Sequence, residues 1–473
     1  MNALLNDLSV PPSVHAIHLQ RRSRIAAAMA AQGGGIAIIP TAPERQRNGD
    51  SDFPYRYDSH FHHLTGFCEP QAWLVLSSDG RSTLFCREKD VEREIWDGFR
   101  LGPEAAPSVL GVDQAYPVGE LDAKLPELLA NREAVWFPFG IHPTLPMQVE
   151  AWFTTVRRRA REGVECPSSQ RDINLLLNEM RLVKDEVEIA TMRHAAQITA
   201  GAHARAMRFC AARLRGGAAG VREYEIEAEL LHEFRRHGAQ SPAYTSIVAA
   251  GANACVLHYA ASNALLRSGD LCLIDAGCEF EGYASDVTRT FPADGRFSPA
   301  QRELYEIVLA AQKEAIAATK PGARQRDAHK AAVRVLSQGM LDCGLLDRDK
   351  VGDVDAVIRS AAYRQFYMHG TGHWLGRDVH DVGEYLSLGE APYEHCDGRG
   401  GMVVKKPSRL LQPGMAVTIE PGIYVRPAEG VPERFWNIGI RIEDDAIVTA
   451  DGCELISRGV PVEAAEIEAL MRN

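Results

Sequence analysis

Asp275 closes an apolar run, Leu271-Cys272-Leu273-Ile274, and Asp286 follows inside the next strand-like segment. Gly277 and Gly282 between them suit a hairpin. A turn centred on Glu281-Gly282 sets Asp275 opposite Thr288, with Asp286 its diagonal neighbour. A centre one position earlier on each strand puts the two aspartates face to face. Either register leaves both carboxylates on one face of the hairpin. Two carboxylates on an apolar face repel unless a cation or a proton lies between them. On these residues alone, solvated strand ends explain the pattern equally well.

The C-terminal half supplies three more candidate ligands. Glu420 ends Ala416-Val417-Thr418-Ile419 and is stopped by Pro421-Gly422. Isoleucines alternate with Gly439, Arg441 and Glu443 along Ile438–Glu443, so Arg441 and Glu443 share a face. His373 lies in His369-Gly370-Thr371-Gly372-His373, whose glycines let a backbone approach a crowded centre. Four carboxylates and one imidazole are a hard, oxygen-rich set. That chemistry favours a pair of Mn²⁺ or similar ions over structural zinc, which prefers thiolates and imidazoles.

These residues need a scaffold, and the chain offers one in two parts. Its 473 residues are 45% hydrophobic and 24% charged, a globular composition long enough for two domains. Over residues 1–178 helix and strand signals alternate: a helix at Ile17–Ala31, a strand at Ile36–Ile39, a hairpin of Ala72–Leu76 and Thr83–Cys86 about Asp79-Gly80, a short helix at Val91–Trp96 and a strand at Ala134–Phe137. This predicts an α/β domain. Residues 179–473 carry long periodic helices, Lys184–Met207 and Tyr224–Arg236, then the strands Leu271–Asp275, Tyr283–Phe291, Ala416–Glu420 and Ile438–Glu443. Asp342–Ser360 and Ser387–Ser408 read as loops. A net charge of −11 argues against a nucleic-acid partner, and no apolar run reaches membrane-spanning length. Ten cysteines without a CxxC pair indicate a reduced, cytoplasmic protein. Arg21-Arg22 superficially resembles an export signal, but a surface helix running into a core strand explains it better.

The order Asp275, Asp286, His373, Glu420 and Glu443, with His258, His369 and His380 interspersed, resembles the pita-bread metallopeptidases. Leu273-Ile274-Asp275-Ala276-Gly277, His369 to His373, Thr418-Ile419-Glu420-Pro421-Gly422 and Arg441-Ile442-Glu443-Asp444 stand as that family writes them. Tyr55-Arg56-Tyr57-Asp58-Ser59, Thr65-Gly66-Phe67 and Ile95-Trp96-Asp97-Gly98 are similar to bacterial aminopeptidase P, the Xaa-Pro aminopeptidases. The resemblance implies an α/β N-terminal domain followed by an α+β pita-bread catalytic domain. It also implies two divalent ions, Asp275 holding one, His373 and Glu420 the other, Asp286 and Glu443 bridging. A water shared between the ions would attack the bond between an N-terminal residue and a following proline. Glu420 would serve as general base as well. His258, His369 and His380 would hold the substrate carbonyl and the tetrahedral intermediate. Arg441 would orient a carboxylate, with Tyr424 beside it. Trp96 would reach the site of a neighbouring subunit in a dimer or tetramer. Prolidases, confined to Xaa-Pro dipeptides, share the centre, and some pita-bread proteins have lost it to become binding proteins. No ligand position is missing here.

Other candidates carry less. His232 and His237 are five apart, about 140° around a helix, and cannot share a metal. His60, His62 and His63 read as a polar turn, and Arg157-Arg158-Arg159 as a solvated helix face. Cys255 near His258 lacks a third, orienting group.

Overall fold

Every residue of the strand Ile36–Pro40 is buried, because layers cover both faces of its sheet. Ala37 and Ile39 enter one core with Met29, Phe61 and Leu64, while Ile36 and Ile38 enter another with Leu125, Trp152 and Phe153. The structure, a computed structural model, describes residues 12–260, 263–396 and 401–472. The chain divides into the units Met1–Met180 and Arg181–Asn473.

The first unit is built on a mixed six-stranded sheet. Its order is Gln114–Pro117, Ser82–Cys86, Trp73–Ser77, Ile36–Pro40, Ala134–Phe137 and Ser169–Asp172. Two readings of this unit need correction. His60, His62 and His63 lie in a helix, Ser59–Thr65, whose N-cap Asp58 accepts from the Phe61 amide at 2.8 Å and which Gly66 ends at φ 68°. Three to four residues' spacing turns His60 and His63 inward, and both are buried. Arg21 and Arg22, in the helix Pro12–Ala31, are likewise buried rather than on the surface. Arg22 donates to the carbonyls of Leu64 (2.9 Å), Leu110 (3.3 Å) and Gly111, and Arg21 to that of His63 (3.3 Å). These carbonyls belong to helix C-terminal ends, which lack partners of their own and attract cations.

In the second unit the helix Glu186–Arg215 opens on a reciprocal cap between Asp185 and Glu188. It therefore begins later than Lys184, which is buried and donates to Asp381 at 2.9 Å. Glu223–Arg236 buries Ile226, Leu230 and Phe234 on one face. Asp342–Ser360 is not a plain loop but holds two short helices, Arg348–Val351 and Val354–Ser360, capped by Asp347 and Asp353. Ser387–Ser408 contains an exposed hairpin, Tyr393–Cys396 with Met402–Lys405, while its residues 397–400 lie outside those described.

Two bent hairpins form the centre of this unit. Asp275 pairs with Thr288, the register of a turn at Glu281-Gly282, whose φ angles of 48° and 73° fit such a turn. The expected strands are interrupted, however. Leu271–Asp275 and Cys278–Phe280 belong to different sheets, as do Thr288–Pro292 and Tyr283–Ala284. The second hairpin behaves likewise: Ala416–Ile419 and Asp444–Val448 pair in one sheet, Gly422–Val425 and Ile438–Arg441 in another. Asp275, Asp286, Glu420 and Glu443 sit at the four breaks. The backbones close tightly at the first bend, where a Cβ on Gly277 would lie 1.7 Å from the Ser285 carbonyl oxygen. A helix supports each bend. His203 of Glu186–Arg215 donates to the Ala276 carbonyl at 2.9 Å, and Gln312 of Pro299–Ala318 reaches the carbonyls of Ile419 and Ile442 at 3.3 Å each.

Candidate metal centre

Because register is continuous through each bend, the inward side chains converge. Pairing of Ile419 with Asp444 and of Gly422 with Arg441 sets Glu420 opposite Glu443. Ligand atoms of Asp286, His373 and Glu443 lie within 4.8 Å of one another. Asp275 and Glu420 line the same cavity, of about 600 Å³, with His258, His369, His380 and Arg441. His373 arrives from a loop that pairs along the edge of Ala416–Ile419, its amide donating to Thr418 Oγ1 at 3.1 Å. Only glycine fits at 372, since a Cβ there would meet the Thr418 carbonyl oxygen at 2.0 Å.

Hydrogen bonds fix each group's orientation. His373 Nδ1 donates to the Trp374 carbonyl at 2.9 Å, which leaves Nε2 facing Asp286 Oδ2 at 3.3 Å and Glu420 Oε1 at 3.9 Å. Arg441 has every guanidinium nitrogen engaged: Nη2 with Asp275 Oδ2 at 2.5 Å, Nη1 with the Tyr424 hydroxyl at 2.9 Å, Nε with Thr288 Oγ1 at 3.1 Å. It therefore acts through Asp275 and Tyr424 rather than on a substrate. Thr288 in turn donates to Glu443 Oε2 at 2.6 Å. The Tyr424 hydroxyl meets His369 Nε2 at 2.8 Å, while His369 Nδ1 donates to the Gly370 carbonyl at 2.6 Å. His380 stacks on His373 with ring centroids 4.0 Å apart.

The electrostatics are those of a cluster short of positive charge. Burial pushes Glu420 up to about 7, and burial with Asp286, Glu420 and Asp275 nearby lifts Glu443 well above the carboxylate range. Burial also raises Asp275, with Arg441 opposing. Burial alone would depress His373, but Asp286 and Glu420 raise it to about 9. Burial and then Arg441 lower His369 to about 3. Oxygen-rich side chains that resist ionisation together are what divalent cations relieve, so the donor set fits metal.

Three partners escaped the sequence reading. The Tyr244 hydroxyl lies 2.6 Å from Asp275 Oδ1 and 2.5 Å from Asp286 Oδ1, in a loop with no motif to mark it. Asp445 accepts from the Asp286 amide at 3.1 Å and from Ser285 Oγ at 2.8 Å. Thr288 shows its role only through the register. Trp96, by contrast, lies away from any core: it is 84% exposed on the helix Val91–Asp97, which buries no residue.

Two bent hairpins that gather buried carboxylates and a histidine into one cavity define a metallohydrolase of pita-bread architecture. The comparisons agree. Residues 190–450 match metallopeptidase family M24, and residues 18–136 match the aminopeptidase P N-terminal domain. The chain belongs to metallopeptidase family M24. It is 42% identical to the Xaa-Pro aminopeptidase of Escherichia coli strain K12, over 95% of this chain and 97% of that one. The structure of Pseudomonas aeruginosa aminopeptidase PepP is similar with a TM-score of 0.88 and 46% identity, covering 98% of each chain. A zinc-substituted E. coli aminopeptidase P in complex with product has a TM-score of 0.87 and 41% identity, covering 97% of this chain and 98% of that one.

Proposed function

We propose that the chain is a dinuclear metallo-aminopeptidase that removes an N-terminal residue preceding proline. The observation that carries this reading is the buried cluster of Asp286, His373 and Glu443 in the cavity that also receives Asp275, Glu420 and three further histidines. A volume of about 600 Å³ suits a short peptide. Asp275 would hold one ion, His373 and Glu420 the other, with Asp286 and Glu443 shared, and the oxygen-rich set favours Mn²⁺. Such ions supply an acidified water and polarisation of the scissile carbonyl.

The protein's own groups do the rest. Glu420, facing the cavity beside His373, is suited to take a proton from the attacking water and return it to the leaving proline nitrogen. His258, His369 and His380 line the cavity and would steady the substrate carbonyl as it becomes an oxyanion. Arg441 and Tyr424 set the orientation of Asp275 and His369. Val91, Ile95 and Trp96 are 72%, 78% and 84% exposed, an apolar group suited to contact with a second copy in a dimer or tetramer. Nine of the ten cysteines are free, consistent with a reduced cytoplasmic setting. No helix among the described residues is long and apolar enough to cross a membrane.

The test is hydrolysis of tripeptides with proline or alanine second, beside an Xaa-Pro dipeptide, with added Mn²⁺. Release of the first residue from the proline tripeptide is expected. Cleavage of the dipeptide alone would make the protein a prolidase. No cleavage of any would leave a binding protein.

A further inference from the structure

His258 lines the catalytic cavity from an exposed turn, and no described residue hydrogen-bonds its imidazole. Its placement must come from the backbone on either side. One residue outside the cavity lining holds that backbone. Glu223, the first residue of the helix Glu223–Arg236, is fully buried. Its Oε1 accepts from the Ala250 amide at 2.9 Å and from Asn253 Nδ2 at 3.0 Å. Its Oε2 accepts from the Tyr259 hydroxyl at 2.9 Å and from the Ala264 amide at 3.1 Å. Asn253 Nδ2 also donates to the Tyr259 hydroxyl at 3.0 Å, and the Glu223 amide donates to the Ala264 carbonyl at 3.1 Å.

We infer that Glu223 is a positioning residue for His258, fixing both ends of the segment that presents this imidazole to the substrate. Among the described residues four donors converge on this carboxylate, which has lone pairs to receive them. They come from Ala250 before His258, from Ala264 after it, from Asn253 within the intervening turn and from Tyr259, its immediate neighbour. A carboxylate is buried only when it is satisfied in this way. Glutamine has the same shape but turns an NH₂ group towards two donors, so the substitution breaks the node without emptying the space. The inference rests on the proposed peptidase reading, because His258 has work to do only if a substrate carbonyl is held in the cavity.

The experiment is a double-mutant cycle on the metal-loaded full chain, with kcat on a proline-second tripeptide, metal content and thermal midpoint measured for each protein. Glu223→Gln should lower kcat by about 10–100-fold, as loss of an orienting partner does at comparable sites. In a His258→Ala background the same substitution should change kcat by no more than about 2-fold, the scatter expected of independent effects. A merely structural role moves the midpoint but gives the same fold loss in both backgrounds, which would overturn the inference. Should Glu223→Gln fail to fold, Tyr259→Phe removes one of the four bonds. It should cost about 3–10-fold in the native background and nothing beyond the 2-fold scatter without His258; equal losses would again refute it. A wild type that cleaves the tripeptide while His258→Ala is fully active sinks this inference alone. A wild type that cleaves no peptide sinks the peptidase reading and the inference with it.

Discussion

Metal binding should release more than one proton per chain at pH 7. In the metal-free protein burial holds Glu420 at about 7 and, with its acidic neighbours, Glu443 well above the usual range, while Asp286 and Glu420 hold His373 at about 9. All three must be deprotonated to act as ligands. At pH 7 Glu420 is about half protonated and His373 nearly fully so, which gives roughly one and a half protons displaced, and Glu443, raised as well, adds to that. Unperturbed side chains, near 4.3 for glutamate and 6.5 for histidine, would together release only about 0.2. The sign follows: each raised group is protonated below its pKa, protons compete with metal at low pH, and affinity climbs as pH passes up through 7 towards 9. Each released proton is worth about tenfold in affinity per pH unit, so one and a half make about 30-fold between pH 6.5 and 7.5. Calorimetric titration of the chelated protein with Mn²⁺, in buffers of different ionisation enthalpy, reads the number directly. A release below about half a proton at pH 7 would show that the carboxylates are already ionised without metal, and the electrostatic account of this cluster would be wrong.

Asp286→Ala should abolish turnover and lower metal content, because this carboxylate faces both His373 and the Tyr244–Asp275 pair; metal analysis finding two ions still bound would refute that. His369→Ala and His380→Ala should keep their metals yet lose about 10²–10³ in kcat, the cost of one transition-state donor, and a metal-free variant of either would make that histidine a ligand. Trp96→Ala should leave unfolding free energy within about 0.5 kcal/mol, as for other exposed positions, while altering kinetics on longer peptides more than on short ones. A loss of about 3–5 kcal/mol would mean the ring is buried, and unchanged kinetics from a monomer in light scattering would remove the subunit contact.

The catalytic half was legible because its signals are local. Asp275 and Asp286 belong to a hairpin whose turn, Glu281-Gly282, fixes the register, and alternation along Ile438–Glu443 places Arg441 and Glu443 on one face. The strand breaks were not legible. A run such as Ile438–Glu443 alternates straight through the bend, and what divides it is the packing of Gln312 against the Ile419 and Ile442 carbonyls from a helix more than a hundred residues away. Tyr244 was missed for the same reason: its partners are remote in sequence, and a lone tyrosine in a loop has no period. The histidines near 60 and the arginines at 21 and 22 were misread as exposed because polarity stood in for burial. Both arginines donate to helix-end carbonyls some forty to ninety residues downstream, which composition does not reveal.

On the dinuclear reading, the same hydrogen bonds imply that two ions would not be held equally. Glu443 accepts from a threonine hydroxyl, and burial with its acidic neighbours holds it well above the carboxylate range, beside Asp286 and His373, whose ligand atoms lie within 4.8 Å of its own. An ion there meets the tightest grouping of ligand atoms among the described residues. Asp275 already has the Arg441 guanidinium at 2.5 Å and the Tyr244 hydroxyl at 2.6 Å, so an ion on that side must share a carboxylate that is partly neutralised. Metal should therefore bind in two steps, first on the His373–Glu420 side and then, more weakly, on the Asp275 side. Asp275→Asn should keep one ion at near-native affinity and lose the other. Arg441→Met should tighten the second step by removing the competing cation, at the expense of the orientation that Arg441 gives to Tyr424 and His369. Equal affinities in the native protein, or loss of both ions from Asp275→Asn, would show that Arg441 does not set the order of filling.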